Sequence, residues 1–201
     1  MAHDSYEAQV VLLVHILPHI AKENIFALKG GTAINLFYRD LPRLSVDIDL
    51  TYLPIKDRAA SLVEINEAMD RIAASIESGI KGANAQRIKG GGGGATRILA
   101  RRSGAEIKIE TSPVTRGVVH DPDLLSISVA VEEKFGYAEM QIVSFEDLFG
   151  GKLHAAVDRQ HPRDLYDIRL LYENEGLTDD LFRTFLIYIA SSVRRARHMN
   201  C

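Results

Sequence analysis

Cysteine is nearly missing from this sequence of 201 residues. The only one, Cys201, stands at the last position, which excludes an intrachain disulfide and fits a reducing compartment. An excess of positive charge is missing too. Lys and Arg number 24 against 27 Asp and Glu, a formal net charge of −3, so any contact with nucleic acid must be a local patch. Long apolar runs are also lacking. The stretch VVLLVHILPHI is short, broken by His15, Pro18 and His19, and preceded by the polar MAHDSYEAQ, which excludes a signal peptide and a membrane span there. The expected location is the cytoplasm. His15 and His19 stand four apart, but no carboxylate or cysteine joins them in a zinc pattern. The glycine run Gly90 to Gly94 has no helix after it and lacks the lysine and hydroxyl of a P-loop, so it reads as a hairpin tip.

What is present centres on Phe26 to Tyr52, FALKGGTAINLFYRDLPRLSVDIDLTY. A short apolar run ends in Lys29-Gly30-Gly31-Thr32, and a helix is expected over Ala33 to Tyr38. Glycines at a strand end expose backbone N–H groups at a helix N-terminus, where no Cβ blocks an anion and the dipole favours it. Thr32 adds a hydroxyl; the alternative is a tight turn in which Thr32 caps the helix. In the strand expected over Ser45 to Leu50, Val46, Ile48 and Leu50 fall on one face and Asp47 and Asp49 on the other. Two such carboxylates repel by roughly 3 kcal/mol at about 5 Å and an effective dielectric near 20. A hard divalent cation, or a neighbouring Lys29 or Arg43, would relieve that repulsion.

The rest of the chain supports an α/β (α+β) fold with a mixed central sheet. A first helix is expected through about Ala21, with Val10, Leu13, Val14, Leu17 and Ile20 as its apolar stripe and Pro18 kinking or shortening it. A second long helix begins near Asp57 or Arg58, with Leu62, Ile65, Met69, Ile72 and Ile76 at spacings of three and four. A three-strand meander follows over 86–89, 96–101 and 105–111. In its third strand Glu106, Lys108 and Glu110 share the face opposite Ile107 and Ile109. Pro113 to Pro122 reads as loop, and Ser126 to Val131 with Ala138 to Ile142 reads as an added hairpin.

Ser144 and Asp147 resemble a capping box that opens a helix with Phe145, Leu148, Phe149, Leu153 and Ala156 as its stripe. Lys152 falls inside that stripe, where a lysine needs an anionic partner. Gly150 and Gly151 each cost about 1 kcal/mol relative to alanine in a helix interior. A close approach by a triphosphate or an acidic strand would explain both oddities, whereas a snorkelling lysine explains only the first. A further helix opens at Arg163, where Asp164 and Asp167 also suit the dipole of a first turn. A last helix starts at Asp179 with Leu181, Phe182, Phe185, Ile189 and Val193 apolar, followed by the basic SSVRRARHMNC. The boundary expected is a core over 1–143 and a helical part over 144–201.

The combination of Gly-Gly-Thr, a helix and a strand bearing Asp-x-Asp resembles the nucleotidyltransferase superfamily that includes DNA polymerase beta. KGGTAINL followed by RLSVDIDL, and later GGKLHAAVDRQHPRDLYDI, resemble the AbiEii/AbiGii toxin family within it. The resemblance runs from about Val10 to Ala190. It implies a nucleotidyltransferase fold with a C-terminal helical part, and a nucleoside monophosphate moved from Mg²⁺-NTP or Mn²⁺-NTP to an acceptor such as tRNA or a protein. Asp47 and Asp49 would hold metal, and Glu110 would be the further carboxylate that two-metal chemistry needs; a solvent-facing Glu beside Lys108 is the other reading. Lys29, Gly30, Gly31 and Thr32 would cradle phosphates, and Lys152 would neutralise charge on them. Asp164, in preference to Asp167, would join the site. The resemblance also implies a cognate antitoxin and a role in abortive phage defence. Family members continue with further helices, so a shortened chain is expected. The alternatives are a weakly active relative that binds nucleotide or antitoxin, and a small-molecule nucleotidyltransferase.

Overall fold

A computed structural model describes residues 2–88 and 96–192, with side chains described from residue 5 onward and not at 113–115. The glycine run 90–94, Val193 and the tail beyond it therefore lie outside the described residues. The elements in order are α1 (Ala2–Ile20), β1 (Phe26–Lys29), α2 (Gly30–Ala33) passing into a π-helical turn (Ile34–Tyr38), β2 (Ile48–Tyr52), α3 (Arg58–Gly79), β3 (Asn84–Ile88), β4 (Arg97–Arg102) and β5 (Ala105–Arg116). There follow β6 (Asp123–Ser126), α4 (Val129–Phe135), β7 (Glu139–Ile142), α5 (Phe145–Arg159), α6 (Pro162–Asn174) and α7 (Asp179–Ser191). The chain forms two compact units, one of residues 1–118 and 122–143, the other of 119–121 and 144–201.

The first unit is built on a mixed sheet of seven strands among the described residues, in the order β3-β4-β5-β2-β1-β7-β6. The pairs β1/β7 and β2/β5 are parallel and the others antiparallel. Parallel pairing brings β2 and β5 together across a long excursion through α3, β3 and β4, and this is how Asp49 comes to stand beside Glu110. α1 and α3 pack on strands of the sheet through their apolar stripes. In α1, Val10, Leu13, Val14, Leu17 and Ile20 are all buried; the helix runs on past Pro18 to Ile20. α3 starts where expected, with Asp57 accepting a hydrogen bond from the Ala60 N–H at 3.0 Å.

Three expectations for this unit are corrected. β2 begins at Ile48 and not at Ser45, so Asp47 lies just before the strand and Asp49 within it. The alternation in Ile127-Ser128-Val129-Ala130-Val131 does not make a strand: 129–135 is the helix α4, which buries Val131 and Phe135 four residues apart. The hairpin is instead β6 against β7. The segment read as loop from Pro113 continues β5 to Arg116, with Tyr52 paired to Arg116 across a register shift. That shift makes room in the ladder for a residue that lacks an N–H.

The second unit is helical. Ser144 caps α5 by accepting from the Asp147 N–H at 3.0 Å, as its sequence suggests. His161 and Thr178 cap α6 and α7 in the same manner. α5 packs against α6 and α7. At Gly150 a Cβ would lie 3.2 Å from both the Phe185 backbone nitrogen and Thr184 Cγ2. Helix α7 thus supplies the neighbour that the glycine requires, in place of the ligand or acidic strand expected there. Nothing lies within 4 Å of a Cβ on Gly151.

Candidate active site

In the first unit one row of residues crosses four strands. Lys29 on β1 is in register with Asp49 on β2, Asp49 with Glu110 on β5, and Glu110 with Arg97 on β4. Partners in register lie about 4.5–5.5 Å apart and share a face, so these four side chains form a line of two acids flanked by two bases. Lys108, two residues before Glu110, reaches the same face. Its Nζ is 3.4 Å from Glu110 Oε2 and 3.8 Å from Asp47 Oδ2. Arg97 Nε is 3.0 Å from the same Glu110 oxygen. These contacts are ion pairs without hydrogen-bond geometry: Oε2 is a buried atom that accepts no hydrogen bond.

The glycine turn closes over this row. Gly30 has φ +79°, and a Cβ on it would stand 2.8 Å from Asp49 Oδ2. Only glycine allows both the left-handed backbone and the carboxylate at that distance. A Cβ on Gly31 would be 2.6 Å from Arg43 Nη2 and 2.6 Å from Ser45 Oγ. The Thr32 side chain is buried and its hydroxyl donates to the Asp47 carbonyl at 2.5 Å. Thr32 thereby ties the turn to the segment carrying Asp47, so its remaining group for a ligand is the backbone N–H. Asn35, also buried, donates to the Gly31 carbonyl at 2.6 Å.

Burial shapes the electrostatics. Desolvation raises the Asp49 carboxyl above the usual range, Glu110 and Asp47 raise it further, and Lys29 and Lys108 oppose them. Desolvation lowers Lys29, against the pull of Asp49 and Glu110. Among the described residues no group of three acids or histidines is gathered tightly enough to hold a metal as it stands. The donor set nonetheless suits a hard divalent cation. It offers carboxylates on adjacent strands, one of them with a buried oxygen lacking a hydrogen bond, and a third, Asp47, on a half-exposed side chain.

In the second unit, Lys152 is 7 % exposed and meets two buried acids, Asp164 Oδ1 at 3.1 Å and Asp167 Oδ2 at 2.9 Å. Arg159 Nε adds a 2.6 Å bond to Asp164 Oδ2. Burial by itself would raise the Asp164 carboxyl; the Arg159 hydrogen bond and the Lys152 charge outweigh it and bring the pKa down to about 2. Both candidate aspartates therefore contact Lys152. Asp147, read only as a cap, carries more than that. Its carboxylate accepts from the backbone N–H groups of Val119 and His120, both at 2.9 Å, from the Tyr188 hydroxyl at 2.8 Å and from the Ser144 hydroxyl at 3.0 Å. Burial and the nearby Asp147 charge push the Tyr188 hydroxyl well above its ordinary pKa.

Sequence reasoning placed Asp47, Asp49, Glu110 and Lys29 on elements that the structure brings to one sheet face, and missed Arg97. The signal for Arg97 was available. Ser103-Gly104, both at positive φ, is a two-residue hairpin turn, and counting back from Arg102↔Ala105 sets Arg97 opposite Glu110.

Residues 11–198 match the family model described as nucleotidyl transferase AbiEii toxin, Type IV TA system. No curated protein matches the sequence. Among solved structures the chain is similar to the nucleotidyltransferase toxin MenT4 of Mycobacterium tuberculosis H37Rv, with a TM-score of 0.64 at 16 % identity over 90 % of this chain and 62 % of that one. The chain thus spans less than two thirds of that toxin's length. It is also similar to the antibiotic-resistance factor ANT(2'')-Ia. The solution structure gives a TM-score of 0.51 at 16 % identity, over 96 % of this chain and 98 % of that one. The crystal structure with adenylyl-2''-tobramycin gives 0.51 at 18 % identity, over 95 % and 99 %. At these identities the likeness is one of fold.

Proposed function

This chain belongs to the AbiEii family of nucleotidyltransferase toxins, and on that footing we propose that it moves a nucleoside monophosphate from an NTP to a nucleophilic acceptor, RNA or protein. The acceptor oxygen forms a bond to the α-phosphorus, the bond from that phosphorus to the bridging oxygen breaks, and pyrophosphate leaves with the electron pair. The acceptor's proton passes to a carboxylate of the row, for which Glu110 is our assignment. The observation that carries this reading is the Asp49–Glu110 register beneath a glycine turn that a single Cβ would close.

Asp47, Asp49 and Glu110 would hold Mg²⁺ or Mn²⁺. The ion, when bound, supplies charge stabilisation for the phosphates and lowers the pKa of the attacking hydroxyl. Backbone N–H groups of Gly30, Gly31 and Thr32 would receive phosphate oxygens, with Lys29 close by in charge if not in contact. We assign Lys152 to the charge on the departing pyrophosphate and Asp164 to its orientation, with Asp167 as the second acid on that lysine. A cognate antitoxin, a cytoplasmic location and a part in phage defence complete the proposal. No helix among the described residues is long and apolar enough to cross a membrane.

Incubating the chain with each α-labelled NTP, Mg²⁺ or Mn²⁺, and total RNA or lysate tests the reaction. Label should enter RNA or protein, and Asp49→Asn and Glu110→Gln should each lower transfer by at least a hundredfold. Transfer that survives Asp49→Asn, or none to any acceptor with any NTP, would overturn the reading.

A further inference from the structure

Three acids and three bases make up the sheet-face cluster. Asp47, Asp49 and Glu110 are met by Lys29, Lys108 and Arg97, a formal charge of zero for these six, and Arg43 beside Gly31 adds a further positive charge at the glycine turn. Lys108 is the member placed to matter for a cation. It is the only one of the three bases shown within 4 Å of two different carboxylates, joining Asp47, which precedes β2, to Glu110, which lies on β5. Its side chain is 40 % exposed, and the four-carbon stem lets the ammonium leave without moving the backbone. Arg97, by contrast, lies across from Glu110 on the neighbouring strand and meets that carboxylate, and Lys29 is half-buried beside Asp49.

We propose that Lys108 is an internal counter-cation of the donor site, standing between Asp47 and Glu110 until a divalent ion displaces it, and so coupling metal binding to nucleotide binding. The inference rests on the reading of the row as a nucleotidyl-transfer site. Its logic is charge balance. A divalent ion entering a cluster with no net negative charge leaves it positive and must evict an ammonium from two carboxylates, so the ion alone binds poorly. A metal–NTP complex brings its own negative charge, gives the released ammonium an anion to follow, and suits the remaining bases. Lys108 is thus a positioning residue that disfavours an ion arriving without its nucleotide.

The test is Mn²⁺ binding, followed by electron paramagnetic resonance, to the wild type, Lys108→Met and Lys108→Arg, each without nucleotide and with each of the four non-hydrolysable α,β-methylene NTPs. Lys108→Met should bind Mn²⁺ alone at least tenfold more tightly than wild type. Lys108→Arg should stay near wild type, which separates charge from shape. The enhancement of Mn²⁺ affinity by nucleotide should be smaller in Lys108→Met. If wild type and Lys108→Met bind Mn²⁺ alone equally while both bind Mn²⁺ with a nucleotide, the counter-cation role is overturned and the transfer reading stands. If neither protein binds Mn²⁺ with or without nucleotide, both fall. Unchanged circular dichroism would show that the exposed substitution has left the fold in place.

Discussion

Single atoms decide much at Gly30, Asp147 and Asp164. Gly30→Ala places a methyl group 2.8 Å from Asp49 Oδ2 on a backbone at φ +79°. The left-handed conformation alone costs roughly 1–2 kcal/mol for a residue with a Cβ, and the carboxylate must also move. We expect a loss of about 1–3 kcal/mol in denaturant unfolding and weaker Mn²⁺-NTP binding; unchanged values for both would show that the turn tolerates a side chain. At Asp147, four donors lose their acceptor together, and buried unsatisfied groups cost about 1–3 kcal/mol each before relaxation. Asp147→Ala should therefore destabilise the second unit by more than about 3 kcal/mol, whereas Tyr188→Phe, which removes one donor, should cost about 1 kcal/mol. Asp164 sets a pH limit. Its folded pKa of about 2 lies below its ordinary value, so the stability it contributes is present above about pH 4 and lost as pH falls towards 2. Arg159→Ala should shift that acid loss to higher pH in a fluorescence-monitored titration; an unmoved midpoint would show that Lys152 alone holds the carboxylate down.

Elements differ in how far the sequence discloses them, and the reasons are physical. α1, α3 and α5 announce themselves because their apolar stripes face neighbours in the same unit: Val10, Ile65, Met69, Leu148 and Phe149 are buried, while Leu62, Phe145 and Leu153 at the edges of their stripes are half-buried. The β4–β5 hairpin follows from a two-residue turn, and with it the opposition of Arg97 and Glu110. The parallel pairing of β2 with β5 has no local signal, since residues 53–104 intervene and nothing in either strand names its neighbour. Family resemblance, and not periodicity, brought Glu110 to Asp49. α4 is hidden from a periodicity reading because Ile127, Val129 and Val131 alternate, while the apolar pair it buries, Val131 and Phe135, is spaced for a helix. At Gly150 the sequence shows that something approaches closely without showing which, so a triphosphate and an acidic strand are as compatible with it as a helix. The structure supplies α7, which yields a prediction. Gly150→Ala gains about 1 kcal/mol of helix propensity, but its Cβ meets the backbone nitrogen of Phe185 at 3.2 Å, and a backbone in a helix gives way poorly. The net effect on chemical denaturation should be a loss of about 1 kcal/mol. Gly151→Ala, with open space at its Cβ, should instead gain up to about 1 kcal/mol, and equal effects at the two positions would contradict the α5–α7 packing.

Across the whole molecule the candidate residues are divided between two compact units, the acidic row and glycine turn in one, Lys152 with Asp164 and Asp167 in the other. On the roles proposed above, metal–NTP binding should register in stability and be sensitive to Lys152 as well as to the acidic row. A ligand at a hundred times its dissociation constant stabilises by about 2.7 kcal/mol. For 150–250 residues that corresponds to roughly 5–11 °C at about 2–4 °C per kcal/mol. Mg²⁺-NTP should raise the melting temperature by that order, and the matching nucleoside should raise it less, because the phosphates meet the charged groups. Asp49→Asn should remove the dependence on Mg²⁺. Lys152→Met keeps the volume of the side chain but leaves Asp164 and Asp167 without their shared cation, so its own melting temperature should fall. The decisive quantity is the difference between the two ligand shifts within each variant, which is insensitive to that fall. In Lys152→Met the NTP shift should shrink to the nucleoside shift. An NTP shift that persists in full would return Lys152 to a purely structural pairing with the two aspartates, and would confine the donor site to the sheet face that carries Asp49 and Glu110.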